Sequence, residues 1–161
     1  MILSIEQSHN LPVLDLGPLL QESDRSGFRS VQRLVDDWAS GKNRFDQPGE
    51  AFFVATQDDR IIGLCGLNRD PYINDPSIGR IRRLYVKQAE RRQGVGRALV
   101  QRVIAEACPT FKWLHVRTDN PLADRFYQSL RFLPCADDKQ VTHKLKLGND
   151  RVYTLCACHP W

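Results

Sequence analysis

The sequence predicts a mixed α/β fold, and three observations carry that prediction. Apolar side chains recur at helical three-four spacing in two separate stretches, and apolar runs of strand length bracket clusters of turn formers. The chain has 161 residues, 42% of them hydrophobic and 26% charged, the balance of an ordinary globular chain that can bury one sizeable core. With no repeat or low-complexity tract, residues 1–161 read as a single domain ordered helix, helix, three strands, helix, strand, helix, strand, strand.

The elements follow in turn. Leu11 to Leu20 is apolar but interrupted by proline, which suggests a short strand and then a short helix. From Phe28, apolar residues fall at Val31, Leu34, Val35 and Trp38, the pattern of an amphipathic helix. Ala51 to Thr56 and Ile61 to Leu67 flank Asp58-Asp59-Arg60 and read as a hairpin. After turn formers at Asp70-Pro71 and Asn74-Asp75-Pro76 comes a strand from Ile78 to Val86.

That strand is out of phase with itself. Ile81 is on the odd register, Leu84 and Val86 on the even one. Placing all three on one side requires an extra residue near Arg82-Arg83, a β-bulge. The alternative is a regular strand with Ile81 and Tyr85 on one face and Leu84 and Val86 on the other.

Leu99, Val100, Val103, Ile104 and Ala107 form the next helical stripe, ended by Pro109. Trp113 to Val116 is a strand, and Asn120-Pro121 reads as N-cap and first helical residue of a helix lined by Leu122, Ala123, Phe126, Tyr127 and Leu130. Gln140 to Leu147 and Arg151 to Cys158 look like a hairpin turned at Gly148-Asn149-Asp150.

Several classes are excluded. No apolar run approaches the roughly 18 residues of a membrane span, and the broken start, Met1 to Leu20, lacks the plan of a signal peptide, so a cytoplasmic location is expected. The cysteines, at 65, 108, 135, 156 and 158, are odd in number and scattered, and read as free thiols. Cys156-Ala157-Cys158-His159 lacks the spacing of common zinc sites, and a terminal strand is the preferred reading, with no metal expected.

The net charge is only +4, yet Arg80, Arg82, Arg83, Arg91, Arg92, Arg97, Arg102 and Lys87 stand close together against a single acid, Glu90. Such an excess attracts a polyanion. No aromatic interleaving or RNP signature supports nucleic acid, which leaves a phosphorylated cofactor as the better fit.

Within that stretch, Arg91-Arg92-Gln93-Gly94-Val95-Gly96-Arg97 joins a strand to a helix. A helix's first turn has unpaired N–H groups and the positive end of its dipole, and glycines let the backbone approach phosphate closely. Arg91, Arg92 and Arg97 add attraction and bidentate capacity. Gly96-Arg97-Ala98 is not a Walker loop, and Leu99 stands where the dinucleotide fingerprint needs a small residue.

Leu84-Tyr85-Val86, then Arg91 to Leu99, resembles the R/Q-x-x-G-x-G/A motif of the GNAT superfamily of N-acetyltransferases, with its preceding strand. A second match runs through Leu114-His115-Val116-Arg117-Thr118-Asp119-Asn120, Ala123, Phe126-Tyr127, Leu130 and Phe132. The two together cover about residues 78 to 134. The resemblance implies a mixed, mostly antiparallel central sheet of six or seven strands flanked by about four helices, with a splayed strand pair forming an acetyl-CoA cleft.

It further implies that the backbone of Leu84, Tyr85 and Val86 pairs with the pantetheine arm and that Arg91, Arg92, Gln93, Gly94, Val95, Gly96 and Arg97 surround the pyrophosphate. Asn120 would contact the arm, and Tyr127 would place its hydroxyl near the thioester sulfur. The implied cosubstrate is acetyl-CoA and the implied partner an amine acceptor. Arg80 and Arg82 share a strand face before the bulge, where they either read an anion on that acceptor or pair with acids on neighbouring strands. The chain would act as a monomer or homodimer without nucleic acid or membrane. Arg92 and Arg131 stand where the family commonly has glycine.

Acetyl transfer needs a neutral amine, whereas a lysine-like amine has a pKa of about 10.4. It needs donors for the oxyanion, here backbone N–H near the bulge, and a proton for the leaving thiolate, for which Tyr127 is the candidate general acid. The base is not assigned. A strand Glu that the family often provides is absent from Gly79-Arg80-Ile81-Arg82-Arg83, and Asp75, Glu50 and His115 all remain conceivable. A non-catalytic acyl-CoA-binding module of the same fold is the alternative.

Overall fold

The computed structural model describes residues 2–148. Strand β1 (Leu3–Gln7) is followed by a 3-10 turn at Leu11–Val13, then α1 (Gly17–Arg25) and α2 (Ser30–Ser40). Strands β2 (Ala51–Gln57), β3 (Arg60–Arg69) and β4 (Ile78–Val86) come next. After a 3-10 turn at Gln88–Glu90, helix α3 (Val95–Ala107), β5 (Trp113–Val116), α4 (Pro121–Ser129), β6 (Leu133–Asp138) and β7 (Val141–Lys146) complete the described chain.

The strands make one sheet in the order β1-β2-β3-β4-β5-β7-β6. All neighbours run antiparallel except β4 and β5, which are parallel. The sheet is therefore mixed and mostly antiparallel, with seven strands and four α-helices among the described residues, as expected. No helix among the described residues is long and apolar enough to cross a membrane.

Two apolar layers cover the sheet. On one face Leu99, Val100, Val103 and Ile104 of α3 pack with Tyr127 and Leu130 of α4 against Phe53, Leu67, Ile81 and Leu114. On the other, Leu19 of α1 and Val31, Leu34 and Trp38 of α2 pack on Phe52, Leu64 and Tyr85. Strand alternation divides β2 between the two layers, Phe53 on one and Phe52 on the other.

The phase slip in β4 is a bulge. Gly66 pairs with Arg82 and Leu64 with Tyr85, so Cys65 alone faces both Arg83 and Leu84. Arg83 takes a φ of 61°, and its guanidinium pairs with Asp37 of α2 at 3.3 Å. The extra residue puts Ile81, Leu84 and Val86 together on the α3 side and Tyr85 on the α1–α2 side. The regular-strand alternative is excluded.

Three expectations change. The segment Leu11 to Leu20 holds a 3-10 turn and the first part of α1, while the strand lies earlier, at Leu3–Gln7. Val141–Lys146 forms the strand expected near Gln140, but pairs with β6 and β5; the other arm proposed for it, residues 151–158, lies outside the described residues. β6 itself was not anticipated, because nearly all of its residues are exposed and it shows no apolar alternation. Cys65 and Cys135 are free thiols, whereas Cys108 is disulfide-bonded rather than free.

Candidate active site

The site begins where β4 and β5 part. Their pairing is limited to Ile78 with Trp113, Gly79 with Leu114 and Arg80 with His115. Beyond Arg80, the remainder of β4 has no partner on its β5 side among the described residues, and the bulge lies in this unpaired half. Leu84, Tyr85 and Val86 thus present an open strand edge inside a sheet, the geometry that accepts an extended chain by strand addition.

The loop after β4 is held from both sides. Glu22 of α1 accepts from the Tyr85 hydroxyl at 2.5 Å and from the Gln88 amide at 2.9 Å. Burial and this carboxylate push the Tyr85 phenol up to about 12, so it stays a donor at neutral pH. Arg91 donates through Nε to the Val86 carbonyl at 2.8 Å, with its guanidinium 5.4 Å from the Tyr85 ring centre. Gln93 bonds back to the Ala89 carbonyl.

At the helix start, Gly94 is the N-cap, at φ 87°, and no side chain caps α3. The Ala98 amide is the first to bond back, to the Gly94 carbonyl at 3.0 Å. Among the described residues, nothing accepts a hydrogen bond from the amides of Arg92, Gln93, Gly94, Val95, Gly96 or Arg97. A Cβ placed on Gly96 would meet Phe126 and Val86 no closer than 3.6 Å, so protein packing does not require glycine there. Uncommitted amides, an unblocked backbone and adjacent arginines fit a diphosphate.

Helix α4 lies beside this loop. Arg97 donates to the Ser129 hydroxyl at 3.0 Å. Asn120 is the N-cap, its side-chain oxygen accepting from the Leu122 amide at 3.0 Å. Tyr127 is buried against Phe132 and His143, with ring centres 5.3 Å and 5.7 Å away. Its hydroxyl donates to no described residue. Burial, with the nearby Cys65 thiol adding to it, keeps the phenol protonated well above its ordinary range. His143 anchors this helix to β7 through Asp124, at 2.7 Å.

Both positions that depart from the family's glycine are left-handed, Arg92 at φ 64° and Arg131 at φ 72°. At the end of α4 the Phe132 amide bonds to the Tyr127 carbonyl and the Arg131 amide to that of Gln128, a Schellman closure. The Tyr127 and Phe132 rings, packed edge to face at an interplanar angle of 66°, supply its apolar contact.

The profile of the acetyltransferase (GNAT) family matches residues 18–132. The chain belongs to this family. Among solved structures it is similar to a candidate acetyltransferase from Exiguobacterium sp. 255-15, at 28% identity and TM-score 0.83, over 96% of this chain and 97% of that one.

A GNAT-family candidate acetyltransferase from Desulfovibrio desulfuricans shares the fold at 19% identity and TM-score 0.70, covering 90% and 99%. So does a candidate acetyltransferase from Salmonella typhimurium solved with its cofactor acetyl-CoA, at 15% identity and TM-score 0.67, covering 91% and 95%.

Within this GNAT fold, the two arginines before the bulge differ, and for Arg80 the alternative of pairing with an acid from a neighbouring strand holds. Arg80 is not available to an acceptor. Its side chain is 3% exposed, pairs with Asp70 at 3.1 Å and donates to the Gln140 carbonyl at 2.6 Å. Arg82 makes no ion pair among the described residues. Of the acids considered as a base, Glu50 is taken up by the Gln47 and Arg69 amides and the Asn68 side chain. Asp75 closes a turn onto Ser77. His115 bonds to Asp70 at 3.0 Å, a pairing that its separation of 45 residues hid from sequence inspection.

Proposed function

We propose that the protein is an acetyl-CoA-dependent N-acetyltransferase that moves the acetyl group directly from the thioester to a primary amine. The observation that carries this reading is the row of uncommitted amides from Arg92 to Arg97 beside the unpaired half of β4. In this reading those amides and the side chains of Arg91, Arg92 and Arg97 hold the pyrophosphate, with Gln93 and Val95 part of the same turn. The main chain of Leu84, Tyr85 and Val86 pairs with the pantetheine arm, and Asn120 contacts it through its free amide nitrogen.

The bulge re-aims main-chain N–H groups toward the thioester carbonyl, where they stabilise the oxyanion. Tyr127, its phenol protonated and uncommitted, gives its proton to the leaving thiolate. The Salmonella relative, solved with acetyl-CoA, supports the choice of cosubstrate.

A second reading, an acyl-CoA-binding module without catalysis, draws on the arginines Arg80, Arg82 and Arg83 in the strand where the family often places a Glu. Thiol release from acetyl-CoA with a panel of primary amines separates the two. The transferase turns over at least one amine class, and Tyr127→Phe lowers kcat by roughly a hundredfold with little change in the KM for acetyl-CoA. Tight acetyl-CoA binding without turnover of any amine would establish the module instead.

A further inference from the structure

At the point where β4 and β5 separate, a buried polar cluster joins three strands. Asp70, following β3, has a fully buried side chain. One of its oxygens meets both Arg80 Nη2 at 3.1 Å and His115 Nδ1 at 3.0 Å, and the other accepts from the Tyr72 amide at 2.9 Å. Burial alone would raise the Asp70 carboxyl. The hydrogen bonds from His115, Arg80 and the Tyr72 amide outweigh it and hold the group below the usual carboxylate range.

An ionised Asp70 only accepts hydrogen bonds, so the network assigns the His115 proton to Nδ1. Nε2 then carries the lone pair. No described residue bonds to it, and the His115 side chain keeps 9% of its surface exposed.

The orientation is set by strand alternation. Leu114 and Val116 lie in the layer under α3 and α4, so His115 faces the opposite side of the sheet. The diphosphate-binding loop belongs to the α3 side. An amine approaching the thioester carbonyl from the other face therefore enters on the side that His115 faces.

We propose that His115, oriented by Asp70, is the general base that takes the proton from the acceptor amine, directly or through one water. This rests on the acetyltransferase reading above. The amine lone pair forms the C–N bond while the carbonyl π electrons move to oxygen. One N–H proton passes to His115 Nε2. Collapse re-forms the C=O bond and breaks C–S, and the sulfur takes a proton from the Tyr127 hydroxyl. The proton on His115 then leaves through solvent and the tyrosinate is reprotonated. The products are the acetamide and free thiol.

Arg80 has a different part. By neutralising Asp70 it keeps the carboxylate from binding the imidazolium too tightly to release its proton. The charged groups facing His115 are Asp70 from the end of β3, Arg80 from β4 and Lys144, its register partner on β7. The Lys144 ammonium is turned over the Trp113 ring, 5.4 Å from its centre.

The test is kcat against pH for wild type and His115→Gln, with acetyl-CoA and the amine that wild type uses best. The variant should lose roughly a hundredfold in kcat at neutral pH, keep its KM for acetyl-CoA within about twofold, and lose the acid limb of the profile. His115→Ala, which vacates the imidazole's space, should recover turnover when imidazole is added. A His115→Gln enzyme within about twofold of wild type, or one that retains the acid limb, removes the base and leaves the transferase standing. A folded wild type that binds acetyl-CoA and acetylates no amine removes both.

Discussion

Helices α3 and α4 begin on the same face of the sheet yet begin in opposite ways. At α4, Asn120 supplies a side-chain acceptor to the Leu122 amide and Pro121 removes one donor altogether. At α3, the N-cap is Gly94, no side chain caps the helix, and the amides of Arg92 through Arg97 have no acceptor among the described residues. A capped start contributes about 1 kcal/mol of stability. Helices α1 and α2 also start without a side-chain cap, so a bare start does not by itself mark a site. What sets α3 apart is the glycine turn with arginines around it, and on the proposed reading an anion completes it.

The strongest break of that contrast is an acid at the bare start. Gly96→Asp places a carboxylate in the first turn of α3, where the dipole favours it and where the helix gains by losing glycine. Thermal stability should hold or rise, while acetyl-CoA affinity falls on the order of a hundredfold as charge-assisted bonds are lost. Gly96→Ala should stabilise by roughly 0.5–1 kcal/mol with a smaller loss of affinity. Calorimetric binding alongside a thermal melt reads both, and a Gly96→Asp protein that binds acetyl-CoA normally would end the diphosphate assignment.

At the capped start the effects should reverse. Asn120→Ala removes the acceptor for the Leu122 amide and should cost about 1 kcal/mol, lowering Tm by roughly 2–4 °C. Asn120→Asp keeps the cap and loses only the amide nitrogen, so its Tm should stay near wild type. Any rise in its KM for acetyl-CoA then measures the proposed contact with the arm, and an unchanged KM would remove Asn120 from the cofactor site.

The smallest effect lies at the far end of α4. Arg131, at φ 72°, closes the helix in a conformation that glycine adopts without strain. Arg131→Gly should stabilise by up to about 1 kcal/mol in a denaturant melt without altering kcat. A destabilised variant would show that the Arg131 side chain does more than cap.

Legibility differed by the range of the interaction. Helical stripes at Val31 to Trp38 and Leu99 to Ala107, the hairpin at Asp58-Asp59 and the cap at Asn120 are local patterns, and each became the expected element. The bulge was visible as a break in period and resolved once β3 showed one residue facing two. β6 was invisible because an exposed edge strand buries too little to enforce alternation. β1 offered only Leu3 and Ile5 against Ser4 and Glu6, a weak signal in so short a run.

By itself, then, the order of residues determined the elements, the arginine-rich glycine turn and the two motifs that resemble the acetyltransferase family, because each depends on neighbours a few positions apart. Only the tertiary structure decided which polar groups are already taken. Arg80 had two readings, an acceptor's anion or a neighbouring acid, until Asp70 and the Gln140 carbonyl were brought to it, and the partner of His115 was unknown until Asp70 reached its ring. Those partners meet through the pairing of β3, β4, β5 and β7, a long-range arrangement whose hydrogen bonds leave no periodic trace along the chain.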